Sequence, residues 1–324
     1  MHKARHASRF ICLAVSLLLA TTAAAQSFPS KPIRIIATAT AGGGVDTSSR
    51  IVAQNFQEML GQPGIVENRP GGGGAAGSDY VAKSTPDGHT LLTISISHAV
   101  LPSSHKNLPY SPERDLTPIA VLVNSPNILV AHPSLPVKSI KELIAYARKR
   151  PGEINYASSG SASPAHLATE NLKLLAKIDL THVPYKGTAP GVTDLLAGRV
   201  SLMFTSIISA RHLVESGKLR ALATAGAKRA AAAPDIPTIA EAGVPGYAVD
   251  VWYAMLAPSG VPRSTLERIN HAVAKILHAP DVTKKLASLG LEPVAEDLGA
   301  TDAYIKSEIR KWARVVEAAK ITPD

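Results

Sequence analysis

Three short segments rich in Gly, Ser and Thr stand where an apolar run gives way to helical spacing. The first is Thr40-Ala41-Gly42-Gly43-Gly44-Val45-Asp46. It follows the apolar run Ile33–Ala37 and precedes Ile51, Val52, Phe56, Met59 and Leu60 at helical spacing. The second is Ser158-Ser159-Gly160-Ser161-Ala162-Ser163-Pro164, and the third is Tyr185-Lys186-Gly187-Thr188-Ala189-Pro190. Glycine lets backbone N–H groups approach a ligand without side-chain obstruction. The first turn of a helix adds unpaired N–H groups and the positive end of its dipole. The chemistry this pattern suits is capture of a small carboxylate or phosphate at the carboxyl ends of strands.

Bond-breaking chemistry finds no support. There is no G-x-S-x-G elbow and no pair of carboxylates placed as an acid/base couple. Past the first 25 residues the histidines (89, 98, 105, 132, 166, 182, 212, 271 and 278) form no close ligand pair, so neither a metal nor a cofactor is expected. Gly72-x-Gly74-x-x-Gly77 matches a dinucleotide spacing, but it follows Asn68-Arg69-Pro70 and lacks the acidic residue about twenty positions on. It reads as a glycine-rich surface turn.

Alternating apolar runs and amphipathic stretches must position these loops. Further strands are expected at 90–96, 128–131, 154–157, 181–184, 202–204, 221–225 and 252–257. Ser139-x-x-Glu142 and Ser264-x-x-Glu267 read as capping boxes, and Ile305, Ile309, Trp312 and Val315/Val316 mark a last helix. This alternation predicts an α/β fold with mostly parallel sheets. Pro-containing turns are expected at Thr117-Pro118 and Ser125-Pro126, among others. No single boundary splits the chain, which suits lobes built from discontinuous pieces.

The start of the chain reads as an address. Lys3, Arg5 and Arg9 precede an apolar stretch from Phe10 to Ala20 and the small residues Ala23-Ala24-Ala25. This is the form of a cleaved secretory signal over 1–25, too short for a membrane span. The single cysteine, Cys12, lies within it, so no disulfide is expected in what remains. Removing the segment's three cations lowers the net charge from +9 to +6. The basic residues are scattered, and four Phe and two Trp offer few stacking surfaces, so nucleic acid is not an expected partner.

An ordered set of motifs then resembles a known family. Gly42-Gly43-Gly44-Val45-Asp46, Val66-Glu67-Asn68-Arg69-Pro70-Gly71-Gly72-Gly73-Gly74 and Ala82-Lys83-Ser84-Thr85-Pro86-Asp87-Gly88-His89-Thr90 come first. Leu108-Pro109-Tyr110, Tyr156-Ala157-Ser158-Ser159-Gly160, Val183-Pro184-Tyr185-Lys186-Gly187, Pro234-Asp235-Ile236-Pro237-Thr238, Glu241-Ala242-Gly243-Val244-Pro245-Gly246 and Trp252-Tyr253 follow in order. Together they resemble the Bug-type receptors, the extracytoplasmic solute-binding proteins of tripartite tricarboxylate transporters.

The resemblance implies a two-lobed periplasmic binding protein, type II-like, that closes on a small carboxylated ligand and hands it to membrane permease subunits, working as a monomer in the periplasm. It implies lobe one over 27–124 plus 251–324 and lobe two over 125–250. The expected ligand-binding residues are Thr40, Ala41, Gly43 and Asp46 in the first wall, with Ser97 and His98 beside it. Ser158, Ser159, Gly160 and Ser163 form the opposing wall, and Tyr185, Lys186, Thr188 and Thr205 complete the second lobe. Thr38-Ala39 stands where the family often has Pro-Phe or Pro-Tyr, Leu101 where Asn is common, and Thr205 where Asp is common. Those departures predict more room and a ligand without an ammonium group. Two rival readings are a subunit presenting bound ligand to a sensor kinase and a secreted hydrolase.

Overall fold

The computed structural model describes residues 28–105 and 107–321; the export segment expected at 1–25 lies outside them. The chain begins β1 (Ile33–Ala37), α1 (Gly44–Leu60), β2 (Gly64–Asn68), a 3-10 turn at Gly72–Gly74, α2 (Ala75–Ala82), β3 (Thr90–Ser95), α3 (Ser97–Ser104) and β4 (Leu116–Ser125). It continues with β5 (Asn127–Ala131), α4 (Ile140–Lys149), β6 (Asn155–Ser158), α5 (Pro164–Ala176), β7 (Thr181–Pro184), α6 (Thr188–Leu196), β8 (Leu202–Ser206), α7 (Ile207–Glu215) and β9 (Arg220–Thr224). The last stretch is β10 (Val251–Pro258), α8 (Arg263–His278), α9 (Pro280–Ser288), β11 (Glu292–Pro293) and α10 (Leu298–Ala319).

Two sheets result, one per lobe. The first runs β11-β4-β10-β3-β1-β2 and the second β7-β6-β8-β5-β9. The expected α/β class holds, but the sheets are mixed rather than mostly parallel. β10 lies antiparallel to both β3 and β4, and β5 antiparallel to both β8 and β9. The reversal has a topological cause: β5 and β10 each enter their sheet directly after the chain has crossed from the other lobe.

Several expectations are corrected here. Thr117-Pro118 is not a turn but part of β4, where Pro118 sits beside a register shift opposite β10, the kind of site at which a strand tolerates proline. Ser264 does not cap α8; Pro262 is the N-cap, and Glu267 pairs instead with Arg263 at 2.8 Å. Ser139 does cap α4, accepting from the Glu142 N–H at 3.2 Å, while the Glu142 carboxylate reaches Lys138 N.

The register shows which edges face one another. Tyr253 pairs with Ser95 at the end of β3 and with Val123 near the end of β4. The chain leaves that edge at Ser125 and starts β5 at Asn127, which pairs with Ser206 at the end of β8. The carboxyl edge of parallel β1, β2 and β3 therefore points toward the second lobe, and that of parallel β6, β7 and β8 points back.

One apolar cluster spans both lobes, from Ile36, Leu92 and Ile94 through Trp252, Ile305 and Trp312 to Tyr156, Leu167 and Phe204. A second underlies α1 and α8, with Ile33, Ile35, Val52, Phe56, Ile269 and Val273. At the junction the Glu308 carboxylate, 4 % exposed, accepts the indole N–H of Trp252 at 2.9 Å and of Trp312 at 3.0 Å and pairs with Lys311. Lys311 also donates to Ala248 O at 3.2 Å. Replacing Glu308 with Ala strands two buried indole donors and a half-buried ammonium. We expect a loss of about 3 kcal/mol, read as a lower urea midpoint, whereas a change below about 0.5 kcal/mol would mean that this junction is not under load.

Candidate functional site

The first wall is built by the carboxyl ends of β1, β2 and β3. After β1 the chain turns through Gly42, whose φ of +84° suits glycine. The first helical hydrogen bond of α1 runs from Thr47 N–H to Gly43 O at 2.9 Å. The N–H groups of Gly44, Val45 and Asp46 precede it and have no helical acceptor. Gly43 itself has an ordinary φ of −78°, and a side chain there would meet only Thr40 O at 3.5 Å. Gly44 is the position that must stay bare. The hydroxyl and ring of Tyr253, on β10, occupy the space its Cβ would need. Tyr253 thus closes over the helix start, although the sequence pattern did not single it out as a site residue.

Asp46 has a different task from the one its position suggested. Its carboxylate accepts from Gly42 N at 2.9 Å, from Arg50 Nε at 3.0 Å and from Asn68 Nδ2 at 2.9 Å. Asn68 Nδ2 also donates to Ala39 O at 3.0 Å. Asp46 is 4 % exposed, and the Arg50 hydrogen bond, with those from Gly42 and Asn68, holds it down to about 2 against the desolvation that opposes ionisation. It is the latch of the glycine loop, and its oxygens are taken. Thr40 and Ala41 are exposed on that loop.

The glycines read as a surface turn belong partly to this wall. Gly71–Gly73 are exposed, whereas Gly74 and Gly77 are buried against Thr38, whose Cβ and Cγ2 a side chain there would meet at 3.2 and 3.1 Å. Thr38 donates to Thr93 O at 3.0 Å. It packs under the second glycine turn and does not enlarge the cleft, so the room expected from Thr38 is not there. Leu101 likewise packs beside Gly73. Ser97 opens α3 at the end of β3, and His98 follows, 2 % exposed. Burial pushes the His98 imidazole down to about 4, so it is neutral at pH 7. Neither ring nitrogen has a hydrogen-bond partner among the described residues. A buried group of that kind calls for a ligand or water.

The second wall is a tied pair of loops. Ser158 Oγ lies 3.0 Å from Gly160 O, 3.2 Å from Gly160 N and 2.6 Å from His182 Nε2. Ser163 caps α5, accepting from His166 N at 3.4 Å. Tyr185 N donates to Ser158 O at 3.0 Å, and Gly187 N to Ser159 O at 3.3 Å. The Tyr185 hydroxyl donates to Asp194 at 2.8 Å, and Arg199 holds the other oxygen of Asp194 at 2.7 Å. Lys186 and Thr188 are exposed at the start of α6, while Thr205 is buried at the end of β8, its Oγ1 without a partner among the described residues. Thus Ser158, Ser159, Gly160, Ser163, Tyr185, Lys186 and Thr188 share one edge of the second sheet. His182, which ties Ser158, was not among the expected residues; its signal was only a histidine one strand away.

The model of the tripartite tricarboxylate transporter family receptor matches residues 48–321. The chain belongs to that receptor family. BugT of Bordetella pertussis is 36 % identical over 300 residues, which cover 92 % of each chain. Two solved receptors from Rhodopseudomonas palustris are similar. Rpa4515 with adipate is 36 % identical with a TM-score of 0.76, covering 92 % of this chain and all of that one. MatC with bound malate is 32 % identical with a TM-score of 0.72, covering 89 % of this chain and all of that one. The family and these neighbours are binding proteins, so this receptor is not an enzyme. Among the described residues no helix is long and apolar enough to cross a membrane, and no cluster of three metal-ligating side chains occurs.

The Asp46 latch gives the receptor a defined acid response. A carboxylate held below its ordinary value contributes stability above about pH 4 and loses it as pH falls toward about 2. Asp46→Asn should cost on the order of 1–2 kcal/mol at pH 7, allowing for the exposure of Arg50. Urea unfolding of the two proteins should converge at pH 2, and a constant gap from pH 7 to pH 2 would show that the loss is one of packing.

Proposed function

We propose that this receptor is exported to the periplasm by cleavage near Ala25 and captures a small organic acid between its lobes, 27–124 with 251–324 on one side and 125–250 on the other. It works as a monomer and delivers the acid to membrane permease subunits of the tripartite tricarboxylate type. The observation that carries the reading is the pairing of two carboxyl strand edges across the crossings, one bearing the open N-terminus of α1 and the other the Ser158–Ser163 turn. Adipate and malate in the two Rhodopseudomonas receptors support a carboxylate.

The ligand class is narrowed by what the walls lack. Asp46 in the first turn of α1 and Asp194 on α6, the acids tied to these loops, already bind Arg50 and Arg199. A ligand ammonium would meet no free carboxylate there, and burying it without a partner is costly. His98 and Thr205 are neutral at physiological pH and suit hydroxyl or carboxylate oxygens. We therefore assign a carboxylate without an ammonium group, held by Thr40, Ala41 and Gly43 in one lobe and by Ser159, Gly160, Tyr185, Lys186 and Thr188 in the other. Thr205 is proposed to contact it, with Ser97 and His98 beside it.

A melting screen of the purified protein against diacids, tricarboxylates, aromatic acids, glutamate and aspartate tests this. A ligand at 100 times its Kd adds about 2.7 kcal/mol of stability. We expect at least one acid lacking an amine to raise Tm, and to be recovered unchanged. In Gly44→Ala the displaced Tyr253 ring should weaken that acid at least tenfold, about 1.4 kcal/mol, with the circular dichroism spectrum retained. Binding confined to glutamate or aspartate rejects the ligand class, and recovery of a chemically altered acid rejects the receptor reading.

A further inference from the structure

The turn between β6 and α5 is held by a side chain that the binding reading leaves idle. Ala162 adopts a φ of +56°, a conformation that costs a residue with a Cβ and persists only where neighbours fix it. Beside the ties from Ser158 and Ser163, His166, one helical turn on, holds this residue directly: the Ala162 N–H donates to His166 Nδ1 at 3.1 Å. A nitrogen that accepts a hydrogen bond carries no proton. In this arrangement the imidazole is neutral, with its proton on Nε2. That nitrogen stands 4.0 Å from Glu170 Oε1.

The ring packs among other polar and titratable groups. His182, from β7, stacks on it with ring centroids 3.9 Å apart and itself binds Ser158 Oγ at 2.6 Å. Tyr156, from β6, stacks on His182 at 4.9 Å and donates its hydroxyl to Glu170 at 2.6 Å. Lys173 on α5 pairs with the same Glu170 oxygen at 2.9 Å and stands 3.9 Å from Asp179. Tyr247 donates to Ala168 O at 3.1 Å on α5, and Ala318 and Ala319 of α10 line one surface hollow with Glu170 and Lys173. Glu170 is thus already neutralised by Lys173 and hydrogen bonded by Tyr156. A second positive charge on the stacked imidazoles would face both His182 and Lys173.

We propose that His166 is the positioning residue of the second ligand wall, and that the wall is set only while its Nδ1 is unprotonated. Protonation replaces the acceptor with a donor. Two N–H groups then face each other at 3.1 Å, the Ala162 amide is expelled, and the turn that carries Ser159 and Gly160 loses its fixed shape. Ligand capture is consequently coupled to loss of a proton: affinity is full above the pKa of His166 and falls as pH drops through it. The inference rests on the reading of 158–163 as a ligand wall.

Two measurements test it separately. In the ligand-free protein, nitrogen-15 spectra of the histidines should show His166 as the Nε2–H tautomer at pH 8. The Ala162 amide should shift in step with His166 between pH 8 and pH 5. His166→Asn places an amide oxygen near the Nδ1 position without a titrating group, and there the Ala162 amide should stay put. A proton on Nδ1 at pH 8, or an Ala162 amide that titrates alike in His166→Asn, overturns the proposal. The second arm is calorimetry with adipate. We expect about tenfold weakening from pH 7.5 to pH 5.5 in the wild type, less than threefold in His166→Asn, and weak binding at both values in His166→Ala. Equal slopes in wild type and His166→Asn overturn the link to the ligand. Absence of adipate binding bears on the ligand class alone, because the spectroscopic arm still decides the switch.

Discussion

Glu308 sits where the two lobes share a core, and a buried carboxylate is stable there only because its partners are complete. Taking it out of water is expensive. The cost is offset by two indole donors and Lys311, which come from β10 and from α10 itself. The consequence runs along β10. Side chains alternate across a strand, so fixing Trp252 into the shared core sends Tyr253 to the opposite face. There it lies over Gly44 at the start of α1. The junction and the glycine loop are therefore one piece of geometry: the residue that anchors the crossing determines where its neighbour covers the start of α1.

The first wall depends on the same economy of charge. An anion site needs N–H groups free of competing negative charge, yet Asp46 stands within its helix turn. Arg50 resolves the conflict by pairing with it, and Asn68 ties both to Ala39 O. The carboxylate shapes the loop, its charge is balanced from the solvent side, and the N–H groups of Gly44 and Val45 remain for another acceptor. Asn68 ends β2, so an edge strand remote in sequence from the glycine loop fixes its conformation.

Much of this was legible in the sequence because it is local. A glycine run between an apolar strand and helical spacing marks a helix start wherever the sheet lies, and the cap at Ser139 and the stripe Ile305, Ile309, Trp312 and Val315 follow from periodicity alone. The Gly43–Asp46 loop and both turns of the second lobe emerged in the same way. What escaped was set by tertiary pairing. β4 is broken by Pro118 and reads as a turn, yet it is a ten-residue strand because β10 accommodates the proline at an irregularity. Asp46 looked like a ligand contact because its neighbours Arg50 and Asn68 gave no sign of converging on it. Thr38 looked like a cleft residue because strand alternation says which face a side chain takes, not what covers that face; here Gly74 and Gly77 cover it. Tyr253 and His182 come from strands that approach the loops only after the sheets form.

The two walls are fixed by unlike chemistry. On the first lobe an ion pair does the holding, with its acid far below neutrality, and the open N–H groups at the start of α1 do not titrate. On the second lobe the holding is done by hydrogen bonds that involve imidazole nitrogens, between His166 and Ala162 and between His182 and Ser158. Imidazole is the side chain whose ordinary pKa lies nearest neutrality. A glycine turn latched by an aspartate thus shapes the first lobe's loop with no imidazole involved, whereas the turns of the second lobe are tied by histidine.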